Sequence, residues 1–169
     1  MKPWKLSKIL PNTQAMQNKK KLLFLLLVFL GYQAQAQKEN PVYDKNLADS
    51  LGADEYGMRS YVFVILKTGP TVIDDDEKVA DLLKGHLNNI NRLVDEGKLV
   101  VAGPLGTNEK LYRGLFILNV KDLKEAGELL ETDPAIKEKL FETELYDWYG
   151  PAALPLYLDA AKKTAKITF

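Results

Sequence analysis

The chain has 169 residues, with 23 basic and 23 acidic side chains, a single histidine and no cysteine. The absence of cysteine excludes a disulfide framework, a thiolate nucleophile, a cysteine metal site and a lipid-modified cysteine anchor. One histidine also restricts transition-metal sites, which usually draw on several imidazole or thiolate ligands. We therefore expect neither a bound metal nor a cofactor.

The N-terminal segment has the pattern of a secretory signal peptide. Three lysines at 19–21 precede an apolar run over residues 22–30, and small residues ending at Ala36 follow. This order predicts a signal peptide over residues 1–36, because the apolar run is shorter than the about 20 residues that cross a bilayer. An uncleaved N-terminal anchor is the alternative. Met16 begins a signal sequence of ordinary length and is an alternative translation start.

Removal of this segment changes the charge balance. It contains six lysines and no carboxylate, so the mature chain has 17 basic and 23 acidic groups and a net charge of −6. An acidic protein lacks the counterion release that drives binding to nucleic acid, and anionic membrane surfaces repel it. We expect an exported protein, periplasmic or secreted, with no nucleic-acid partner and no stable membrane anchor.

The mature chain begins with a polar extension, residues 37–59, in which a short helix is predicted over 47–51. The next segment, residues 61–68, reads YVFVILKT and is apolar on both alternating faces. Such a pattern is typical of a strand that is covered on both sides. Gly69-Pro70 ends it.

Helices and strands then alternate in the order βαββαβ. The predicted elements are strand 61–68, helix 76–96, strand 98–102, strand 111–120, helix 121–131, a short helical piece 134–141 and strand 144–149. Strands two and three form a hairpin. This order predicts an α+β fold, the split βαβ or ferredoxin-like sandwich, over residues 60–150. Residues 151–169 form a C-terminal tail.

The apolar pattern of the third strand predicts that both faces of the sheet are covered. Leu115 and Ile117 alternate with Tyr112, Phe116 and Leu118, although two helices cover only one face. A homodimer that packs two sheets face to face is the simplest cover for the other face. The alternative is coverage by the chain's own extensions, including the C-terminal PAALPLYL sequence.

His86, the single histidine, is the first candidate for chemistry. It belongs to one predicted helix face with 3, 4 and 7 spacing, formed by Val79, Leu83, His86, Leu87, Ile90 and Val94. An imidazole on a packing face needs a hydrogen-bond partner. A catalytic histidine and a hydrogen-bonded core histidine both satisfy this pattern.

Other motifs favour structural explanations. The acidic cluster at residues 74–77 lies at a helix start, where carboxylates interact with the positive end of the helix dipole, and this is favoured over a calcium site. Residues 103–106 contain two glycines but lack the lysine and hydroxyl residue of a P-loop, so a turn is favoured over a phosphate loop. No Gly-x-Ser-x-Gly motif occurs, which weakens hydrolase mechanisms that use a serine nucleophile.

Four motifs occur in a specific order along the chain. They are Gly85-His86-Leu87, the run DEGKLVVAGPL at residues 95–105, Arg113-Gly114 and Thr132-Asp133-Pro134. Together they resemble the YciI-like (YCII-related domain) proteins, and the similarity covers about residues 60–150. The export signal and the two extensions depart from that family, in which this core is usually almost the whole protein.

The resemblance implies the dimeric α/β-barrel version of the ferredoxin-like fold and an active site that uses the helix histidine and the aspartate of the Asp-Pro pair. In this chain these residues are His86 and Asp133. The family's reaction is not generally established, so the resemblance implies a site without a substrate. Asp133 also has a structural explanation, because Asp followed by Pro is an ordinary way to cap and begin a helix.

A second set of residues are candidates for ligand contacts. Gly114 inside an apolar strand indicates a bulge or a close approach to the backbone, and Arg113 beside it is a candidate for binding an anion. Gly103 and Pro104, which end the second strand, complete the predicted ligand-binding set. A solvated arginine and an ordinary turn are the alternatives.

Three hypotheses about function remain open on the sequence. The first is an enzyme that uses His86 and Asp133 in general acid–base chemistry, of isomerase or lyase type, on a small organic molecule. The second is a non-catalytic ligand-binding or accessory protein of the cell envelope. The third is a purely structural homodimer.

Overall fold

The computed structural model describes residues 40–166. Residues 40–43, the described end of the first of two units, form a turn in which the Tyr43 amide donates to the Asn40 carbonyl at 3.1 Å. The second unit begins at Asp44 and contains every described helix and strand. The predicted signal peptide lies outside the described residues.

The second unit contains four strands, five α-helices and a 3₁₀ turn within the described residues. In chain order they are α1 (Lys45–Leu51), β1 (Met58–Thr68), α2 (Asp76–Asp95), β2 (Leu99–Pro104), β3 (Tyr112–Leu118), α3 (Leu123–Leu130), α4 (Pro134–Lys137), β4 (Phe141–Pro151), a 3₁₀ turn (Leu154–Tyr157) and α5 (Leu158–Thr164). No helix within residues 40–166 combines the length and apolar composition needed to cross a membrane.

The four strands form one antiparallel sheet in the order β2-β3-β1-β4. The predicted βαββαβ order and the β2–β3 hairpin are confirmed. The fold is therefore mixed α+β with a four-stranded antiparallel sheet, an arrangement consistent with the ferredoxin-like class.

The end of α4 differs from the prediction of a helical piece over 134–141. The helix stops at Lys137, and Lys139 has a positive φ of 55° that a continuing helix does not allow. The carbonyls of Lys139 and Leu140 instead accept hydrogen bonds from Thr71 and Gly69. Strand β4 therefore begins at Phe141, three residues earlier than predicted.

Helix α2 begins and ends for local reasons that the sequence contains. The Asp75 side chain accepts hydrogen bonds from the amides of Glu77 and Lys78, so this acidic cluster provides a helix cap. Gly97, with φ of 68°, takes the left-handed conformation that follows the helix.

The inward face of α2 is the predicted one only in part. Ile90 and Val94 pack against the core, as predicted. His86, Asn89 and Leu93 are buried, whereas Leu83 and Leu87 are 38% and 40% exposed. Leu87 lines the pocket that also contains His86, and Leu83 lines a second, smaller pocket. The core itself lies between the helices and the inner sheet face and is formed by Val62, Val64, Leu66, Leu93, Leu99, Phe116, Leu118, Val120, Ala126, Leu130 and Ile136.

Tyr112 lies on the opposite face from the one predicted. Leu66 pairs with Gly114 but Lys67 pairs with Tyr112, so Arg113 is an extra residue in β3. One extra residue reverses the alternation of side chains. Tyr112 therefore shares the outer face with Lys67, while Phe116 and Leu118 remain in the core as predicted.

The outer sheet face is covered in part by the chain itself. The Tyr61 hydroxyl donates to the Pro151 carbonyl at 3.0 Å, and its ring lies 5.6 Å from the ring of Trp148, so Tyr61 is buried. The Tyr157 hydroxyl donates to the Val100 carbonyl at 2.5 Å and ties the C-terminal segment to β2. The rest of this face is only half-buried and contains Phe63, Ile65, Val101, Leu115 and Ile117.

A polar cluster also lies on this outer face. Lys67 donates to one carboxylate oxygen of Glu144 at 2.9 Å, and the Tyr146 hydroxyl donates to the other at 3.0 Å. The hydrogen bond from Lys67, followed by that from Tyr146, lowers the pKa of Glu144 below its ordinary value of 4.5. The same pair raises the pKa of Lys67.

Acid should weaken the fold partly through Glu144. The pKa of Glu144 is lower in the folded state than in the unfolded state. Its contribution to the free energy of unfolding is therefore fully present above pH 4.5 and is lost as the pH falls through the pKa of the folded state. Glu144→Gln should be less stable than wild type at neutral pH and should lose less stability between neutral pH and about pH 3. Urea unfolding at both pH values measures this.

Glu109→Gln, at an exposed position without an ion pair in residues 40–166, is the control. Equal acid sensitivity of wild type and both variants would contradict the prediction.

Candidate active site

Gly85-His86 on α2 packs against Asp133-Pro134 at the start of α4, and these two pairs of residues form the centre of the candidate site. A Cβ atom on Gly85 would lie 2.5 Å from Cγ of Pro134, well inside normal contact distance. Only glycine at this position allows the start of α4 to approach α2 so closely. The close approach brings the next residue of α2, His86, to the residue that precedes Pro134.

That residue is Asp133, and it contacts His86 directly. Nδ1 of His86 lies 2.6 Å from Oδ2 of Asp133. The Asp133 side chain is fully buried, and His86 is 9% exposed. The structure thus brings together the two residues predicted to be catalytic, while their role in catalysis stays a prediction.

The two carboxylate oxygens of Asp133 have separate partners. Oδ1 accepts hydrogen bonds from the amides of Ala135 at 2.9 Å and Ile136 at 3.4 Å, which caps α4. Oδ2 faces His86. The capping explanation and the histidine contact are therefore compatible, because each uses a different oxygen.

The contact with Asp133 sets the roles of the two imidazole nitrogens. A carboxylate accepts hydrogen bonds, so Nδ1 of His86 carries a proton and, in the neutral ring, Nε2 is the unprotonated nitrogen. Every buried side-chain nitrogen and oxygen of the described residues has a hydrogen-bond partner, and Nε2 has none among those residues. Nε2 is therefore accessible, and because His86 lines a pocket, we infer that this nitrogen faces it.

Two aromatic rings hold the imidazole on its other sides. The Phe116 ring is stacked with it at a centroid distance of 5.9 Å, and the Phe141 ring meets it edge-on at 5.2 Å. These contacts restrict rotation of the imidazole ring. They also surround the imidazole with apolar groups, which strengthens its electrostatic interactions.

The pocket has a volume of about 420 Å³, within the range of small-molecule sites. It is lined mainly by apolar side chains, and its lining is Leu66, His86, Leu87, Ile90, Ala102, Gly103, Pro104, Arg113, Gly114, Phe116 and Phe141. All four residues predicted to contact a ligand, Arg113, Gly114, Gly103 and Pro104, are among them. Asp133 is not, because it lies behind His86.

The structural reason for Gly114 is a contact within the sheet. A Cβ atom at this position would lie 2.9 Å from the carbonyl oxygen of Gly103 on the neighbouring strand. The predicted bulge is present one residue earlier, at Arg113. Gly114 thus allows strands β2 and β3 to approach each other beside the pocket. Arg113 is exposed at the pocket border.

The sequence reasoning missed a polar network behind Asp133. Asn89 is buried; its amide nitrogen lies 3.4 Å from Oδ2 of Asp133, and its amide oxygen accepts from Arg92 at 2.7 Å. Arg92 also donates to the Thr132 hydroxyl at 2.8 Å and pairs with Glu96. The available signal was the spacing, because Asn89 follows His86 by three residues on the same helix face.

Comparison with known proteins assigns the chain to a family. Residues 60–149 match the YCII-related domain, which is more than half of the chain. The chain therefore belongs to the YCII-related domain family, as its motifs predicted. No curated protein sequence shows a significant match.

A solved structure also resembles part of the chain. It is the 5-chloro-2-hydroxyhydroquinone dehydrochlorinase TftG from Burkholderia phenoliruptrix AC1100, in complex with 2,5-dihydroxybenzoquinone. The two sequences are 24% identical, the match covers 52% of this chain and 92% of that chain, and the TM-score is 0.38.

Gly85→Ala should push the start of α4 away from α2. The added methyl group meets Pro134, so we expect a loss of about 1–3 kcal/mol in unfolding free energy and a longer His86–Asp133 distance. Gly127→Ala in α3 is the matched control, because its Cβ would meet nothing within 4 Å, and it should stabilise the protein by about 0.5–1 kcal/mol. Thermal and urea unfolding compare the two, and equal effects would contradict the interlocking of α2 with α4.

Proposed function

We propose that the protein is an enzyme that binds a small organic molecule in the pocket beside His86 and moves a proton with this side chain, in isomerase- or lyase-type chemistry. The observation that carries the proposal is the 2.6 Å contact of a pocket-lining histidine with a fully buried carboxylate. General acid–base catalysis of this kind typically contributes about 10²–10⁴-fold to a rate.

In the proposed reaction, Nε2 of His86 takes a proton from a carbon atom of the substrate. The imidazolium that forms is stabilised by the carboxylate of Asp133. In an isomerisation, His86 returns the proton at a second carbon while the double bond moves. In an elimination, the electron pair of the broken C–H bond forms a double bond as the leaving group departs with its own electron pair.

The surroundings of His86 support this role. Asp133 is held by the two amides of α4 and lies next to the amide nitrogen of Asn89, so its position is independent of the substrate. Phe116 and Phe141 restrict the imidazole. A base that is already oriented loses little free energy to reorganisation during the reaction.

A non-catalytic ligand-binding protein of the cell envelope is the second candidate. It is favoured by the composition of the pocket, in which His86 and Arg113 are the only ionisable residues lining the cavity in the described part of the chain. A pocket with a single base and a mostly apolar wall suits retention of a ligand as well as its conversion.

The proposed assembly is a homodimer of the dimeric α/β-barrel type, in which the outer sheet faces of two chains meet. Its support is the half-buried apolar strip formed by Phe63, Ile65, Leu115 and Ile117, which the C-terminal segment leaves open.

We also propose that the protein is exported, on the pattern of residues 19–36. The sequence obtained by N-terminal sequencing of the processed protein should then begin at Gln37.

Substitutions at the His86–Asp133 pair test the proposed chemistry. A thermal-shift screen of small organic molecules on the mature protein first identifies ligands and turnover. His86→Ala should lower the turnover of a converted ligand by about 10²–10⁴-fold. Asp133→Asn should have a similar effect, because the asparagine amide donates to Nδ1 and moves the imidazole proton to Nε2.

Asp133→Ser separates catalysis from capping. Serine can still cap α4, so this variant should lose turnover while avoiding much of the about 0.5–2 kcal/mol that Asp133→Ala loses with the cap. Ligands that stabilise wild type and all these variants equally would rule out the proposed site. Binding that depends on His86, without turnover of any bound compound, would favour the ligand-binding protein.

Substitution on the outer sheet face tests the dimer. Ile117→Lys places a charge in the apolar strip and should convert a dimer to a monomer with an unchanged circular dichroism spectrum. Leu123→Lys, at a position on α3 that is 39% exposed, is the matched control and should remain dimeric. Analytical ultracentrifugation measures the masses. A wild-type monomer at micromolar concentration would contradict the proposed assembly.

A further inference from the structure

The pocket is lined by two ionisable side chains and by apolar walls. The ionisable side chains are His86 and Arg113, and the other lining side chains, such as Phe116, Phe141 and Leu87, are apolar. No aspartate or glutamate lines this cavity in the described part of the chain. A ligand that fills it therefore meets a base, an apolar wall and a cation.

The backbone fixes the position of Arg113. Arg113 is the extra residue of the β1–β3 bulge, and its carbonyl accepts a hydrogen bond from the Leu105 amide at 2.9 Å. The bulge is therefore held on both sides by neighbouring chain segments. Bulges of this kind redirect a side chain, and here the redirected residue borders the pocket.

The charge of Arg113 is uncompensated within the described residues. The ion pairs found there use Lys45, Lys67, His86, Arg92, Lys98, Lys124 and Lys162, and none uses Arg113. An arginine guanidinium remains protonated at all physiological pH values and binds carboxylates through two parallel hydrogen bonds. The mature chain has a net charge of −6, so attraction of an anion to this pocket needs a local cation.

We propose that the ligand of this pocket is an amphipathic organic acid, whose carboxylate binds Arg113 and whose apolar body contacts Phe116 and Phe141 within reach of His86. This inference names the ligand class and rests on the proposed function. Arg113 is then the residue that determines specificity for anions, while His86 carries the chemistry. The ligand class applies equally to an enzyme and to a non-catalytic binding protein.

Matched acids and amides test the ligand class. The probes are benzoate, phenylacetate and cinnamate, each paired with its uncharged amide, and binding to the mature protein is measured by calorimetry at low and high salt. At least one acid should bind about 10–100-fold more tightly than its amide at low salt, as expected for a hydrogen-bonded charge pair. The difference should shrink at high salt, because ions screen this exposed arginine.

Substitution of Arg113 assigns the charge preference to one residue. Arg113→Met should remove the preference for the acid and leave the affinity for the amide nearly unchanged. Lys84→Met, which removes an equal charge from an exposed position of α2 outside the pocket lining, should behave as wild type.

The outcomes separate this inference from the proposed function. His86→Trp introduces a larger ring into the pocket lining and should abolish binding there. Equal affinities for acid and amide, together with loss of binding in this variant, would overturn the proposed preference for organic acids and leave the pocket as the binding site. A preference for the acid that persists in Arg113→Met would overturn the role of Arg113. Failure of all six probes to bind would overturn the ligand class, and the proposed function would then be judged on the broader thermal-shift screen alone.

Discussion

The site depends on the requirement that a fully buried carboxylate must find hydrogen-bond donors. Asp133 has no exposed surface, and an unpartnered charge in such a place would cost several kcal/mol. Two amides of α4 and the ring of His86 meet this requirement. Because these donors come from two helices, satisfying Asp133 also fixes α4 against α2. The contact that orients the histidine is thus part of the packing of the fold.

Irregular features of the backbone shape the space in front of His86. Gly85 allows α4 to approach α2, and Gly114 allows the β2 and β3 backbones to approach each other. The extra residue in β3 places Arg113 at the border of the pocket. Leu83 and Leu87 remain partly exposed, and each lines a cavity. The same departures from regular packing that reduce the apolar contact of α2 produce a cavity able to hold a ligand.

Local patterns in the sequence predicted the element order, four pocket-lining residues as ligand contacts, and the pairing of His86 with Asp133, the last through family resemblance. They did not predict the face of Tyr112, because a bulge is set by strand register between distant segments. They also missed Asn89, since a polar residue on a helix face is equally typical of a solvent-exposed position. Leu83 and Leu87 on α2 are more exposed than predicted, because periodicity identifies apolar positions but cannot show which of them line a cavity.

The central claim is that Asp133 holds the neutral imidazole with its proton on Nδ1 and its free lone pair on Nε2. The single histidine makes this claim directly measurable, because long-range ¹H–¹⁵N correlation spectra of the mature protein without an affinity tag contain one imidazole. At a pH where the ring is neutral, the account predicts a protonated Nδ1 and an unprotonated Nε2 in wild type, with the opposite tautomer in Asp133→Asn. A wild-type ring with its proton on Nε2, or a tautomer that Asp133→Asn leaves unchanged, would contradict it.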